Sequence, residues 1–509
     1  MKKIRKILIA NRGEIAVRVV RACRDLGITA VAVFSDADKT AYHVRMSDEA
    51  YHIGPAPSSE SYLVFDKIIG VAKRCGADAV HPGYGFLAEN GAFAKRCEEE
   101  GIIFIGPKSG TIALLGDKLQ ARAAALEAGL PVVPGGEFAA GDLKDALDKA
   151  EAIGYPVLIK AAAGGGGKGM RIVESPEQFE ESLGRASSEA LSAFGDGRVY
   201  IEKFLERPRH VEMQILCDHH GNGIYLGERE CSIQRRHQKL IEESPSPMVT
   251  PELREKMGRA AVDIARQTGY AGAGTVEFMA DDRDNSFYFL EVNTRLQVEH
   301  PVTELVTGVD LVKEQVAIAE GQKLRLKQSD ISITGHAIEC RICAEDPEQN
   351  FMPSTGTLKN YRSPAGPGVR VDSGVVIFSE VPIYYDPLIA KLIVWGKDRA
   401  EAIQRTRRAL EEYRVSGLKT TIGFHRTVMD NDSFIKGRLS TRFLQEEYPD
   451  GRFASADDTI RLQAALAVAL DKFARERKIL IGRTAAVPAL SSWVSFYRRD
   501  GLKNFGGSR

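Results

Sequence analysis

Gly274-Thr-Val-Glu277-Phe-Met279 and Phe287-Tyr-Phe-Leu-Glu291-Val-Asn293 are two runs of strand-forming residues joined by the polar connection Asp281 to Ser286. Alternation along a strand puts Glu291 and Asn293 on one face, and a hairpin partner brings Glu277 beside them. Two carboxylates and an amide oxygen then converge. Hard oxygen donors without cysteine or histidine select Mg²⁺ or Mn²⁺, and carboxylates facing each other on a strand pair would otherwise repel. The turn Asp281-Asp-Arg-Asp284 already supplies the solvated acidic positions, so metal binding accounts better for Glu277 and Glu291. The same alternation adds Arg295, Gln297 and Glu299 to that face before His300-Pro301 stops the strand. Metal carboxylates, a guanidinium fork and a candidate base in one row suit phosphoryl transfer to a small oxyanion.

Upstream, Ala161-Ala-Ala-Gly164-Gly165-Gly166-Gly167-Lys168 lies between the predicted strands Pro156 to Lys160 and Arg171 to Val173. A glycine run exposes backbone N–H groups without side-chain obstruction, which suits a flap over phosphates. The P-loop pattern fails, because no Ser or Thr follows the lysine and a strand, not a helix, comes next. Lys160 and Lys168, with Lys118 beyond them, supply cations for such a ligand. Val199-Tyr-Ile-Glu202-Lys203-Phe-Leu205 reads as an edge strand able to hydrogen-bond an adenine edge and ribose hydroxyls. Gln234-Arg-Arg236-His237-Gln-Lys239 reads equally well as a basic surface loop.

The first hundred residues alternate strand and helix patterns: Ile7 to Ala10, then Ile15, Val19, Ala22, Cys23 and Leu26, then Thr29 to Phe34, with further strands at Ala77 to Val80 and Ile102 to Ile105. An open parallel sheet follows. Asn11-Arg12-Gly13-Glu14 fills the first strand-to-helix connection without G-x-G-x-x-G, so it reads as a tight turn and not a dinucleotide site. Beyond Ile331 the alternating segments Gly335 to Ala344 and Ala390 to Gly396 predict antiparallel strands. Cys340-Arg341-Ile-Cys343 has no second Cys or His pair, and its cysteines fall on opposite faces, which argues against zinc or redox chemistry.

The chain has 509 residues, 43% hydrophobic and 27% charged, which excludes collagen-like, mucin-like and wholly disordered classes. Lys plus Arg equal Asp plus Glu at 69 each, so no global field favours nucleic acid or an anionic membrane. The seven cysteines are odd in number and scattered, fitting a reduced compartment. The apolar run after the basic start ends at Asn11 and Arg12, too short for an export signal, and no stretch is long enough to span a bilayer. A cytoplasmic location is expected.

Ile9-Ala-Asn-Arg-Gly-Glu-Ile-Ala, His81-Pro-Gly-Tyr-Gly-Phe-Leu-Ala-Glu-Asn90, Lys160 to Met170, Glu291 to Pro301 and Glu339-Cys-Arg-Ile together resemble biotin carboxylase, within the ATP-grasp superfamily. The resemblance runs from about Ile4 to Tyr448. It implies a multidomain α/β and α+β chain: a Rossmann-like parallel sheet over 1–116, an ATP-grasp domain over 117–330 with a mobile lid over 131–206, and an antiparallel α+β domain over 331–448; the residues beyond it, 449–509, read as a helical basic extension. It further implies that Lys118, Lys160, Gly164 to Gly167, Glu202, Lys203, Leu205, His210, Gln234 and His237 hold ATP, and that Glu277, Glu291 and Asn293 carry Mg²⁺ or Mn²⁺. Lys239, Arg295, Gln297 and Val298 would cradle bicarbonate with Glu299 as its general base, while Arg341 and Tyr84 would meet biotin.

No Ala-Met-Lys-Met-like biotinylation site occurs, so biotin is expected on a separate carrier protein. The other partners expected are a second copy of this chain and a carboxyltransferase subunit. From Asp450 onward eleven Lys and Arg face six Asp and Glu, and Ser455-Ala-Asp-Asp458 precedes a stripe of Leu462, Leu466, Leu470 and Phe473. That tail reads as a docking element or a family-specific extension. The competing functions are another ATP-grasp ligase joining a carboxylate to an amine, and a non-catalytic nucleotide-binding scaffold. The latter expects lost metal or base residues, and none is lost.

Overall fold

The computed structural model describes residues 3–138, 142–162, 169–453 and 465–475. Met1–Phe453 form one compact unit and Ala454–Arg509 a second. In the second unit, 465–475 is helical, with Leu466, Val468, Leu470 and Phe473 exposed. Ser455 to Asp458 and Leu462 lie outside the described residues.

The first unit opens with a five-stranded parallel sheet in the order Glu49–Gly54, Thr29–Ser35, Lys6–Ile9, Ala79–His81, Ile103–Phe104. The edge strand Glu49–Gly54 carries no continuous apolar run, which is why periodicity did not announce it. Helix Gly13–Leu26 buries Ile15, Ala16, Val19 and Val20 against the sheet and stops at Gly27, whose φ of 68° is the left-handed cap glycine tolerates. The Asn11 amide donates to the carbonyls of Pro82 and Tyr84, both at 2.7 Å, tying two strand ends together.

An eight-stranded antiparallel sheet follows, in the order Ser286–Asn293, Gly272–Asp281, Arg209–Cys217, Gly223–Arg235, Gln238–Ser244, His336–Cys343, Leu388–Gly396, Val369–Ser373. It runs unbroken through the pairing of Gln238–Ser244 with His336–Cys343, so Lys239 and Arg341 come from adjacent strands. Arg235 and Gln238 pair across a two-residue turn in which Arg236 and His237 take φ of 49° and 67°. The basic run is therefore a tight hairpin, with Arg236 and His237 exposed at its turn.

A separate four-stranded sheet, Gly135–Glu137, Val199–Lys203, Val157–Ala161, Arg171–Val173, packs with helices Leu143–Ile153 and Phe179–Phe194 around its own core of Val157, Ile159, Phe179 and Ile201. Val199–Lys203 pairs on both sides, so the expected edge strand is an interior one. Gly164 to Gly167 and Lys168 lie outside the described residues.

Arg229 anchors the large sheet. Fully buried, it reaches Glu212 through Nε, Gln214 Oε1 (2.6 Å) and Thr303 Oγ1 (2.9 Å) through Nη1, and Thr275 Oγ1 (3.0 Å) through Nη2. Three strands and the helix His300–Thr307 meet on one guanidinium. Arg229→Met, which leaves a buried carboxylate without its partner, is expected to destabilise the protein by about 3–5 kcal/mol in urea unfolding. A loss under about 1 kcal/mol would mean that Lys239 alone compensates Glu212.

Candidate functional site

Glu277 and Glu291 stand directly opposite each other in the hairpin Gly272–Asp281 and Ser286–Asn293. The strand ends at Asn293, however, and 294–299 leave the sheet. The expected continuous strand to Glu299 is thus corrected, and the cause is visible. Leu296 is drawn into the core beneath the N-terminal helix with Ile15 and Val19, and Thr294 N–H donates to Glu89 at 3.2 Å. The polar row still converges, by hydrogen bonding instead of pleat. Arg295 donates to Asn293 Oδ1 and Gln297 Oε1, both at 3.0 Å, and to Glu89 at 2.8 Å, while Gln297 donates to Glu277 Oε1 at 3.0 Å.

Lys239 is the hub. Its ammonium donates to Glu277 Oε1 (2.9 Å), Glu299 Oε1 (2.6 Å) and Glu212. Arg341 takes the other oxygen of Glu299 at 2.9 Å and Glu242 at 2.6 Å. Glu299 is wholly buried at the start of helix His300–Thr307. Burial would push its carboxyl up, yet Lys239, Arg341 and Arg229 outweigh that and hold it well below the usual carboxylate range. Glu299 is therefore an anion gripped by two cations.

Glu291 behaves oppositely. Burial and then the neighbouring Glu277 lift its carboxyl, whereas Lys118 pulls it back only in part. Glu277 stays ionised because Lys239 and His210, whose Nε2 is 2.8 Å from Glu277 Oε2, offset its burial. The Asn293 side-chain nitrogen is buried with no hydrogen-bond partner among the described residues. A buried carboxylate, Glu277, and a half-buried one, Glu291, in register beside an amide oxygen are a donor set of hard oxygens, and a divalent cation fits it.

The nucleotide candidates gather on the neighbouring side. Lys160 Nζ lies 2.6 Å from Glu202 Oε2, and Arg122 lies 3.2 Å from Glu202 Oε1. Partial desolvation and the charges of His210, Lys160 and Lys118 hold His237 below the usual imidazole range, so these groups from separate elements face one region. Gln234 pairs with Lys239 across the hairpin. The Lys203 ammonium points elsewhere, to the carbonyls of Gly154 (2.9 Å) and Tyr155 (3.1 Å). Leu205 is half-buried just past that strand.

A cavity of about 340 Å³ opens beside Glu299's turn, lined by Arg341, Arg295, Val298, Tyr84, Arg12 and Glu14 among others. The first strand-to-helix connection, read from sequence as a tight turn only, is thus part of its wall. Arg12 forms a fork with Asp38, two bonds of 2.7 Å, and stacks 4.1 Å over the Tyr385 ring. No motif pointed to Tyr385, and its wall position depends on packing across 350 residues with Ser35.

Three family models match consecutive stretches: Biotin carboxylase, N-terminal domain, over 3–112; Carbamoyl-phosphate synthase L chain, ATP binding domain, over 117–327; and Biotin carboxylase C-terminal domain over 339–446. The biotin carboxylase of Nostoc sp. is 56% identical over 444 residues, 87% of this chain and 99% of the relative. The chain belongs to the biotin carboxylase family. Biotin carboxylase 1 of Bacillus subtilis is similar at 54% identity over 442 residues, 87% of this chain and 98% of that one. Among solved structures, the biotin carboxylase domain dimer of Hydrogenobacter thermophilus 2-oxoglutarate carboxylase, in complex with MgADP, ADP and bicarbonate, superposes with a TM-score of 0.85 at 50% identity, covering 90% of this chain and 100% of that one. This biotin carboxylase is an ATP-grasp ligase, and among its described residues no helix is long and apolar enough to cross a membrane.

Proposed function

We propose that the chain carboxylates biotin carried on a separate protein, with ATP and bicarbonate as co-substrates. The observation that carries this reading is Glu299, kept ionised between Lys239 and Arg341 beside a cavity large enough for a ureido ring. Glu299 would accept the bicarbonate proton, Lys239, Arg295, Gln297 and the Val298 backbone holding the anion. A bicarbonate oxygen then attacks the γ-phosphorus and the bond to ADP breaks, giving carboxyphosphate. Carboxyphosphate splits into CO₂ and phosphate, and phosphate takes the N1′ proton of biotin. Arg341 stabilises the charge that builds on the ureido oxygen, and the resulting anion attacks CO₂ to give carboxybiotin.

Glu277, Glu291 and Asn293 would hold Mg²⁺ or Mn²⁺, which supplies charge neutralisation at the phosphates when bound. Lys118, Lys160, Glu202, His210, Gln234 and His237 would orient ATP, with Gly164 to Gly167 and the backbone at Lys203 and Leu205. Closure of the small sheet over the nucleotide would exclude water from a hydrolysable intermediate. Tyr84 would line the biotin pocket.

Relatives of comparable identity are named for different acceptors, including the propionyl-CoA carboxylase alpha chain of Ruegeria pomeroyi, 50% identical over 495 residues, 93% of this chain and 72% of that one. That spread fits an acceptor met by a carboxyltransferase partner and not by this chain. We place the chain in the cytoplasm, as a homodimer.

The test is bicarbonate-dependent ATP cleavage with and without free biotin. Biotin should stimulate cleavage, and Arg341→Ala should lower the stimulated rate by about a hundredfold or more, the range for removing a charge-stabilising donor. A carboxylate–amine ligase of the same superfamily would show neither effect.

A further inference from the structure

Lys391 lies wholly buried on the strand Leu388–Gly396, whose other buried residues are apolar save for its terminal glycine. Lysine is almost never so deep without partners. Its ammonium donates to the Val298 carbonyl at 2.7 Å, lies 3.3 Å from Glu14 Oε1 and sits 5.7 Å from the centroid of the Tyr84 ring. Val298, Glu14 and Tyr84 all line the cavity beside the base.

The ladder explains the aim. Lys391 is the direct partner of Arg341 across strands His336–Cys343 and Leu388–Gly396, so both side chains leave the same face of the sheet. They reach consecutive residues of one turn, Lys391 the carbonyl of Val298 and Arg341 the carboxylate of Glu299. Asp372, the partner of Lys391 on its other side, is already held by Arg370 at 3.0 and 2.7 Å. Glu14, in the first turn of helix Gly13–Leu26, has no hydrogen bond of good geometry to either oxygen among the described residues, and burial pushes its carboxyl up to about 7 against the pull of Lys391.

We propose that Lys391 is a positioning residue for the base: by holding the Val298 carbonyl it fixes the Val298–Glu299 peptide, so that the Glu299 carboxylate meets Lys239 and Arg341 before bicarbonate arrives. Glu14 ties the same ammonium to the first turn of helix Gly13–Leu26, which locks this turn to the wall of the cavity. The inference rests on Glu299 acting as the base that deprotonates bicarbonate.

Lys391→Met alone would leave Glu14 buried beside no ammonium and risks unfolding the chain. The informative variant is Lys391→Met with Glu14→Gln, which removes both charges at similar volume. Steady-state ATP cleavage is measured against bicarbonate and against ATP, alongside the melting temperature. We expect the double variant to melt within a few degrees of wild type, to keep its KM for ATP within about twofold, and to lose about tenfold or more in kcat/KM for bicarbonate, a difference worth one decade in transition-state stabilisation. Bicarbonate kinetics within twofold of wild type would overturn the proposal. So would an unfolded double variant or parallel losses toward ATP and bicarbonate, since these mark a purely structural lysine. Wild-type protein without bicarbonate-dependent cleavage would instead sink the underlying reading, and this one with it.

Discussion

Glu299→Gln should lower bicarbonate-dependent ATP cleavage by about 10²- to 10⁴-fold, the range for a positioned general base, while leaving the melting temperature nearly unchanged. Glutamine keeps the size of the side chain. Lys239 retains Glu212 and Glu277, and Arg341 retains Glu242, so neither cation is orphaned in the core. What disappears is the proton acceptor. A second consequence concerns pH. Lys239, Arg341 and Arg229 hold Glu299 well below the usual carboxylate range, which makes it a weak base. Drawing Arg341 away to the biotin ureido oxygen would remove one of them and let the carboxyl rise. The acid limb of the pH profile for ATP cleavage should therefore lie at higher pH with biotin than without it. Coincident limbs would show that Arg341 stays on Glu299 throughout, and a Gln variant within tenfold of wild type would move the base elsewhere.

Glu291→Gln should change sign with conditions. Without metal, Glu291 is a half-buried carboxylate raised by desolvation and by Glu277 directly across the hairpin, so replacing it relieves repulsion and leaves stability equal or higher. With Mg²⁺ and ATP the effect reverses. A ligand at about 100 times its Kd stabilises a fold by about 2.7 kcal/mol, and the variant should lose most of that stabilisation together with roughly a hundredfold or more of activity. Thermal unfolding with and without MgATP reads both. An equal ligand-induced shift in variant and wild type would remove Glu291 from the metal set, and a large loss of stability without metal would make it a structural residue instead.

Alternation alone was enough to pair Glu277 with Glu291, because residues facing across a short hairpin are fixed by the period of the strand and a local turn. The parallel N-terminal sheet was legible for the same kind of reason, its buried strands being short apolar runs bounded by turns. Alternation failed past Asn293, where burial of Leu296 in another core outweighed the pleat. It also failed at Val199–Lys203, since a half-polar strand looks alike at an edge and inside a small sheet. At Asn11 to Glu14, read as a tight turn, the helix already starts at Gly13, and the role in the cavity wall went unread because nothing local says that a cavity lies beside it.

The sequence by itself determined most strands of the N-terminal parallel sheet, the oxygen-rich hairpin and, through motifs spread from Ile4 to Tyr448, the family. Tertiary structure alone decided that Glu299 is gripped by Lys239 and Arg341, 60 and 42 residues away, and that Lys391 reaches the turn from a distance of 93. The physical reason is that these contacts follow from which strands lie side by side in the eight-stranded sheet. That order is set by burial of the whole core, whereas period and propensity report only on neighbours a few residues apart.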